Sequence, residues 1–128
     1  MRKYEIIKGE KMATIENMAA MHRAADEASE LLKALASRHR LLILCHLSED
    51  ECSVGELAER LDLRDSTVSQ HLALLRRDGL VAAEREGQTI WYSLASGPAR
   101  QVLETLFSIY CPRDTMPRSK ARTISARV

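Results

Sequence analysis

Apolar residues recur at spacings of three and four along most of the chain, which predicts a largely helical protein. A first helix is expected over residues 14–36, with Thr14 as its N-cap. A second helix is expected over residues 38–47, and it is apolar on most sides, as a central core helix is. Ser53 and Glu56 have the spacing of a capping box, which predicts that a third helix begins there.

A fourth helix follows a short polar link. Asp65 or Ser66 can cap its start, and Gly79 fits the position just after its end. At about 100° of rotation per residue, its large aliphatic residues fall on one side, towards the core. These residues are Val68, Leu72 and Leu75.

The chain then changes to a strand pattern. Two short strands are expected over residues 80–85 and 89–94, with Gly87 at the turn between them. A last helix covers residues 96–110, and Pro112 stops it, because the residue before a proline is disfavoured in the α region. Its apolar face consists of Val102, Leu103, Leu106, Phe107 and Tyr110. The elements together predict a mainly α fold with a small β-hairpin, the layout of a winged helix–turn–helix.

The outward side of the fourth helix is polar and carries small side chains near its start. It consists of Ser66, Gln70, Ala73 and Arg77, flanked by Thr67, Ser69 and His71. Glutamine can pair with adenine through two hydrogen bonds, and small hydroxyl groups allow a helix to approach a base edge or a phosphate closely. This face, between a capped helix and a hairpin, predicts contact with double-stranded DNA. The polar face of an ordinary surface helix is the competing interpretation.

The hairpin would form the wing. Arg85 and Gln88 lie near its turn and are candidates for contact with phosphates or the minor groove. Glu84 and Glu86 weaken any attraction to DNA, so a solvated turn without contacts is an equally good interpretation.

Composition narrows the setting. The formal charge is +1 over 128 residues, so DNA binding has to come from a local patch. The longest apolar run is too short to cross a membrane, and no apolar segment follows the basic Met1–Lys3 start, which predicts no secretory signal and a cytoplasmic location. We expect a flexible arm over residues 1–13, one domain over 14–112 and a basic, disordered tail over 113–128.

The three cysteines are more consistent with redox, metal-binding or buried roles than with structural disulfides, since cytosolic thiols are normally reduced. A thiol oxidoreductase is disfavoured, because the chain has no Cys-x-x-Cys motif and no βαβ pattern. No catalytic residue is therefore predicted, and the chain is not expected to be an enzyme. A winged helix that contacts only proteins is a further alternative, and it predicts no sequence-specific DNA affinity.

Four segments resemble the ArsR family of bacterial winged-helix repressors over about residues 28–112. They are ELLKALASRHRLLIL at 30–44, ELA at 56–58, STVSQHL at 66–72 and RDGLV at 77–81. The resemblance implies a homodimer joined through its first and last helices, which binds operator palindromes and leaves DNA when an inducer binds. The positions that match the family's DNA contacts are Ser66, Thr67, Ser69, Gln70 and His71.

The residues at the positions that match the family's metal sites limit which inducers are plausible. Soft-metal sensors of the family have a Cys-x-Cys pair where this chain has Ser53 and Gly55. The last helix of this chain has no histidine, and Glu104 is its only acidic residue. A metal site needs several convergent ligands, so neither a metal nor a cofactor is predicted. Cys45 and Cys111 resemble the paired cysteines of the persulfide-sensing SqrR/BigR group within the family.

The sequence therefore predicts a dithiol-based repressor that leaves its operator when a persulfide or polysulfide bridges Cys45 and Cys111. We expect Cys45 to attack first, because Cys111 follows the end of a helix, where the dipole disfavours a thiolate. Cys52 is expected to lie in an exposed acidic turn as a bystander. An ArsR-type repressor that responds to arsenite, another soft metal or general oxidants remains the alternative.

Overall fold

The structure, a computed structural model, describes residues 15–111. The elements in chain order are α1 (Ile15–Leu35), α2 (Arg38–Glu49), β1 (Cys52–Ser53), α3 (Val54–Leu61), α4 (Asp65–Arg77), β2 (Val81–Glu86), β3 (Thr89–Leu94) and α5 (Gly97–Tyr110). The predictions for Thr14, for the arm over 1–13, for Pro112 and for the tail over 113–128 lie outside the described residues.

The chain divides into two units, one ending at Lys33 and the other starting at Ala34. The described part of the first unit is helical throughout and belongs to α1. Met18, Met21 and Leu32 are exposed on this helix. Exposed apolar side chains of this size leave α1 with surface that a partner can cover.

Serine residues begin three helices of the second unit. Ser37 and Ser96 each accept a hydrogen bond from a backbone N–H, at 3.4 and 3.1 Å. The predicted capping box is confirmed: the Glu56 N–H donates to Ser53 Oγ at 3.2 Å, and the Ser53 N–H donates to Glu56 Oε1 at 3.3 Å. Each cap contributes about 1 kcal/mol to stability.

Helix α2 continues past its predicted end at Leu47. Ser48 was expected in a polar break, but its hydroxyl donates to the Cys45 carbonyl oxygen at 2.6 Å and it stays in the helix. The helix ends at Glu49, because Asp50 is in an extended conformation.

The two ends of α4 differ in how well they were predicted. The expectation that Asp65 or Ser66 caps the helix is wrong: Arg64 is the N-cap residue, it makes no side-chain capping bond, and Asp65 already lies in the first turn, where its charge suits the helix dipole. The predicted end is confirmed. Gly79 has a φ of 80°, and the N–H groups of Gly79 and Leu80 donate to the carbonyl groups of Arg76 and Leu75.

The sheet has three antiparallel strands in the order β1-β3-β2. The β2–β3 hairpin turns at Gly87, whose φ is 65°, as predicted. Leu80 lies just before β2 because its N–H completes the end of α4. Strand β1 was not predicted, and it pairs Cys52 with Tyr92 and Ser53 with Trp91.

The core of the second unit lies where α2, α3, α4 and α5 converge. Its largest fully buried side chains are Ile43, Leu44, Leu57, Leu72, Leu75, Leu103, Val68 and Cys52. Burying each large aliphatic side chain contributes about 1.5–3 kcal/mol. This core supports a winged helix–turn–helix in which α3 and α4 are the paired helices and β2–β3 is the wing. None of the described helices is long and apolar enough to span a membrane.

Candidate functional site

Helix α4 separates an apolar side from a polar side, as predicted. Val68, Leu72 and Leu75 are all 0% exposed and hold the helix against the core. The side chains exposed on the helix include Ser66, Ser69, Gln70, Ala73 and Arg77. The helix is held rigidly and presents amide, hydroxyl and guanidinium groups to solvent. These are the groups that hydrogen-bond to base edges and phosphates in protein–DNA complexes.

His71 lies on the flank of α4 that faces α2, and Thr67 is one helical turn before it. Both are half-buried. The His71 ring meets the His39 ring edge-on, with 5.7 Å between ring centroids, and its Nδ1 is buried without a hydrogen-bond partner. Burial, and then the charges of Arg40 and His39, lower the pKa of His71, so its imidazole is neutral at neutral pH. Of the predicted DNA-contact residues, His71 is thus directed partly towards the protein.

The wing carries charges of both signs. Arg85 and Gln88 are exposed near the turn, where DNA contacts were predicted. Arg85 also lines a cavity of about 340 Å³ whose other walls are acidic or aromatic. Those walls are Glu51, Glu84, Glu86 and Trp91. The negative charge noted in the hairpin sequence is therefore reinforced by Glu51, which precedes β1.

The other flank of α4 borders the wing and forms a groove of about 450 Å³, which we call the α4–β3 groove. It is lined by Ser69, Leu72, Ala73, Arg76, Arg77 and Tyr92. Arg76 and Tyr92 were not predicted as functional residues. The seven-residue spacing of Ser69 and Arg76, which places both on one line of a helix, was the available signal for Arg76.

Two of the cysteines, Cys45 and Cys111, are electrostatically coupled. Cys45 lies on α2 and is half-buried. Cys111 is also half-buried and is the C-cap residue directly after α5, where its N–H donates to the Phe107 carbonyl oxygen at 2.9 Å. Burial raises the pKa of the Cys45 thiol, and the Cys111 thiol raises the pKa of Cys45 further through its charge. The pKa of Cys45 thus responds to the charge state of Cys111, which couples α2 to the end of α5 electrostatically. The raised pKa of Cys45 argues against the expectation that Cys45 attacks first, since it lowers the thiolate fraction at neutral pH.

Cys52 does not lie in an exposed turn, and that prediction is wrong. It is 0% exposed, because β1 pairs with β3 and closes over it. Its Sγ accepts a hydrogen bond from Arg60 Nη1 at 3.3 Å. Burial outweighs the nearby Arg60 charge and raises the pKa of Cys52 to about 11. Cys52 is therefore a protonated core thiol, and its role as a bystander in sensing stays a prediction.

Within residues 15–111, no group of three or more His, Cys, Asp or Glu side chains is arranged to hold a metal ion.

Helix α5 exposes apolar side chains to solvent. Ile109 and Tyr110 are 62% and 77% exposed near the end of α5, while Leu103 on the same helix is buried. A helix that is apolar on both its buried and its exposed sides is typical of an interface.

Residues 37–83 match the family model described as "Bacterial regulatory protein, arsR family". The chain is 48% identical over 95 residues to the transcriptional activator HlyU of Vibrio cholerae serotype O1, covering 74% of this chain and 88% of HlyU. It is 44% identical over 94 residues to the biofilm growth-associated repressor of Agrobacterium fabrum, covering 73% of this chain and 80% of that protein.

The solved structures give the same result. The transcriptional repressor BigR of Xylella fastidiosa is similar with a TM-score of 0.71 and 36% identity, covering 75% of this chain and 98% of BigR. The structure of reduced HlyU from Vibrio cholerae is similar with a TM-score of 0.69 and 48% identity, covering 73% of this chain and 98% of that chain.

Proposed function

Because this chain belongs to the arsR family of bacterial regulatory proteins, which are DNA-binding transcriptional regulators and not enzymes, we propose that it is a dithiol-switched repressor. As a reduced homodimer it binds an inverted-repeat operator, and it releases the operator once reactive sulfur bridges Cys45 and Cys111. The observation that supports the sulfur-sensing part of this proposal is the electrostatic coupling of these two half-buried thiols.

DNA recognition is assigned to α4 and the wing. Ser66, Ser69 and Gln70 are exposed on α4, and we assign to them the contacts with base edges and nearby phosphates. Arg85 and Gln88 of the wing contact the backbone. Thr67 and His71 complete the set expected from the family resemblance, and Arg77 is added because it lies on the outward face of α4. The core below α4 keeps this surface rigid, which limits the entropy lost on binding.

The dimer is assigned to α1 and α5. Met18 and Leu32 on α1, and Ile109 and Tyr110 on α5, are large apolar side chains left in solvent. Pairing these surfaces between two copies of the chain would bury them, and a C2 dimer would present two copies of α4 to the two halves of an inverted repeat.

The sensing step balances with a persulfide as oxidant. One cysteine thiolate attacks the outer sulfur of a persulfide RSSH, which transfers that sulfur, forms a protein persulfide and expels RS⁻ as a thiol. The second cysteine thiolate attacks the inner sulfur of the protein persulfide and expels hydrosulfide, which leaves a disulfide between Cys45 and Cys111. The two protein thiols are oxidised, and the persulfide is reduced to thiol and hydrosulfide. If both cysteines first become persulfides, loss of hydrosulfide leaves a three-sulfur bridge.

The bridge acts on α4 through α2. It ties the end of α5 to α2, the helix whose His39 packs against His71 of α4. A displacement of α2 therefore reaches the recognition helix directly, and in a dimer it changes the separation of the two recognition helices. The names of two similar proteins, in Agrobacterium and Xylella, support repression, whereas HlyU of Vibrio cholerae is named a transcriptional activator. HlyU has also been solved in a reduced form.

The test uses reduced protein and a DNA duplex selected on it from a random-sequence library. Samples are treated separately with glutathione persulfide, oxidised glutathione, arsenite and zinc, and intact mass and DNA binding are read together. Persulfide is expected to release the DNA and to give the mass of an intramolecular bridge. Cys45→Ser and Cys111→Ser are expected to bind when reduced and to stay bound after treatment, and Cys52→Ser is the matched control that responds like the wild type.

Release by the Cys45→Ser and Cys111→Ser proteins as readily as by the wild type would exclude dithiol sensing. A stoichiometric arsenite or zinc adduct that alone causes release would replace the sulfur proposal with the alternative of a metal-responsive repressor. A wild-type protein that selects no sequence from the library would support the interpretation as a protein-contact module.

A further inference from the structure

The α4–β3 groove has the features of a site for a phosphate group. Its walls bring together the two arginines of the last turn of α4 and the side chain of Tyr92 from β3. Ser69, one of the proposed base-reading residues, is exposed on α4 and also lines the groove. The groove is therefore continuous with the recognition surface and is not a separate cavity.

The charges in the groove are largely available to a ligand. Arg76 is exposed, and within residues 15–111 it makes no ion pair. Arg77 Nε lies 3.3 Å from the Asp78 carboxylate, but both side chains are exposed, so this pair is weak. Guanidinium groups and a phenol hydroxyl are donors without acidic competition inside the groove. This donor set matches the oxygens of a phosphodiester.

The position along α4 agrees with the geometry of a major groove. With a rise of 1.5 Å per residue, Arg76 lies about 9 Å along the helix axis from Gln70. The major groove of B-DNA is about 12 Å wide. A helix that places Gln70 over base edges therefore brings Arg76 to the border of the major groove, where the phosphates lie.

The acidic cavity of the wing also favours a DNA backbone that lies along the α4–β3 groove. Glu51, Glu84 and Glu86 line one cavity with Trp91 and Arg85, so its walls are negative on balance, whereas the neighbouring residue Tyr92 lines the basic groove. Successive residues of a strand point to opposite faces, so β3 separates an acidic face from a basic one. A DNA backbone is repelled by the first face and attracted by the second.

We propose that the α4–β3 groove binds one phosphodiester of the DNA backbone at the edge of the major groove that α4 reads, with Arg76 as the charged donor and the Tyr92 hydroxyl as the neutral one. The proposal rests on DNA binding by α4, and it adds a site whose contribution is independent of base sequence. Arg76 is therefore a backbone-contact residue whose role is distinct from that of Gln70, which meets the bases.

The experiment measures the affinity of full-length reduced protein for two probes, a random-sequence duplex and the selected duplex, over a series of salt concentrations. A phosphate contact contributes about 0.9 to the slope of log K against log salt, so a dimer with two grooves loses about 1.8 of slope in Arg76→Gln. Both probes are expected to weaken by the same factor. Tyr92→Phe should weaken both probes equally and leave the slope almost unchanged, because it removes a neutral donor.

Arg100→Gln is the matched control, since Arg100 is an exposed arginine on α5 outside the groove. It is expected to leave the slope at the wild-type value, and circular dichroism checks that each variant is folded. An unchanged slope in Arg76→Gln, with the wild type still binding DNA, would overturn the groove assignment and leave the proposed function intact. Loss of selected-duplex affinity alone would also overturn it, because that result indicates base contact. Failure of the wild type to bind either probe would overturn both proposals.

Discussion

His71 of the recognition helix α4 packs edge-on against His39 of α2, with 5.7 Å between ring centroids and 69° between ring planes. The Nδ1 of His71 is buried without a hydrogen-bond partner, and Arg40 adds a positive charge nearby. Cys45 lies on the same helix as His39. One aromatic contact therefore joins the helix that carries a sensing thiol to the helix that reads DNA.

This contact predicts that stability falls as the solution becomes acidic. The pKa of His71 is lowered in the folded state by burial first and then by Arg40 and His39, whereas the unfolded chain keeps a value of about 6.5. The unfolded state therefore binds more protons between those two pKa values, and the free energy of unfolding decreases as pH falls through that window. His71→Gln should flatten this part of the profile in denaturant titrations. His22→Gln, at an exposed histidine on α1, is the control that should not.

A second prediction concerns base recognition. Gln70 is exposed at the centre of the polar face of α4, so Gln70→Ala should weaken binding to the selected duplex by about 1–3 kcal/mol. Affinity for a random-sequence duplex and the salt slope should not change, because no phosphate contact is lost. Gln101→Ala, at an exposed position of α5, provides the control. Equal weakening of both duplexes would show that Gln70 contacts the backbone and that its base-reading assignment is wrong.

Local signals allowed most of the helix ends to be predicted. The capping box of Ser53 and Glu56 and the left-handed Gly79 each depend on atoms a few residues apart, so short sequence patterns contain them. Strand β1 depends instead on pairing between Cys52 and Tyr92, far apart in the chain. A two-residue strand has no alternation to detect, and the environment of Cys52 was mispredicted for the same reason.

The residues of the candidate site also differ in whether local sequence patterns could predict them. The outward face of α4 follows from helical rotation, and the buried Val68, Leu72 and Leu75 confirm its orientation. The proximity of Cys45 and Cys111 was expected only from family resemblance, since separation along a chain does not report distance. Arg76 was missed because it lies on the flank of α4, and its surroundings depend on β3 packing beside that helix.

A third prediction tests the proposed dimer. Ile109→Asp replaces an exposed apolar side chain near the end of α5 with a charge, so the loss of apolar burial in an interface should cost about 1.5–3 kcal/mol for each copy. The variant is expected to sediment as a monomer at concentrations where the wild type is a dimer, and to bind the selected duplex weakly. Ser108→Asp introduces the same charge at an exposed polar position of α5 and should remain dimeric. An Ile109→Asp protein that stays dimeric would contradict this interface.

The last prediction separates the three thiols by their reactivity. Alkylation requires the thiolate and access to it, and Cys52 is 0% exposed with its pKa raised to about 11. In the folded, reduced protein, iodoacetamide should modify Cys45 and Cys111 and leave Cys52 unmodified until the protein unfolds. Because burial and Cys111 raise the pKa of Cys45, its labelling rate should increase with pH across the range in which the protein stays folded. Persulfide bridging should accelerate over the same range if the Cys45 thiolate takes part. Modification of Cys52 as fast as Cys45 would show that β1 opens readily, and the bystander assignment would then fail.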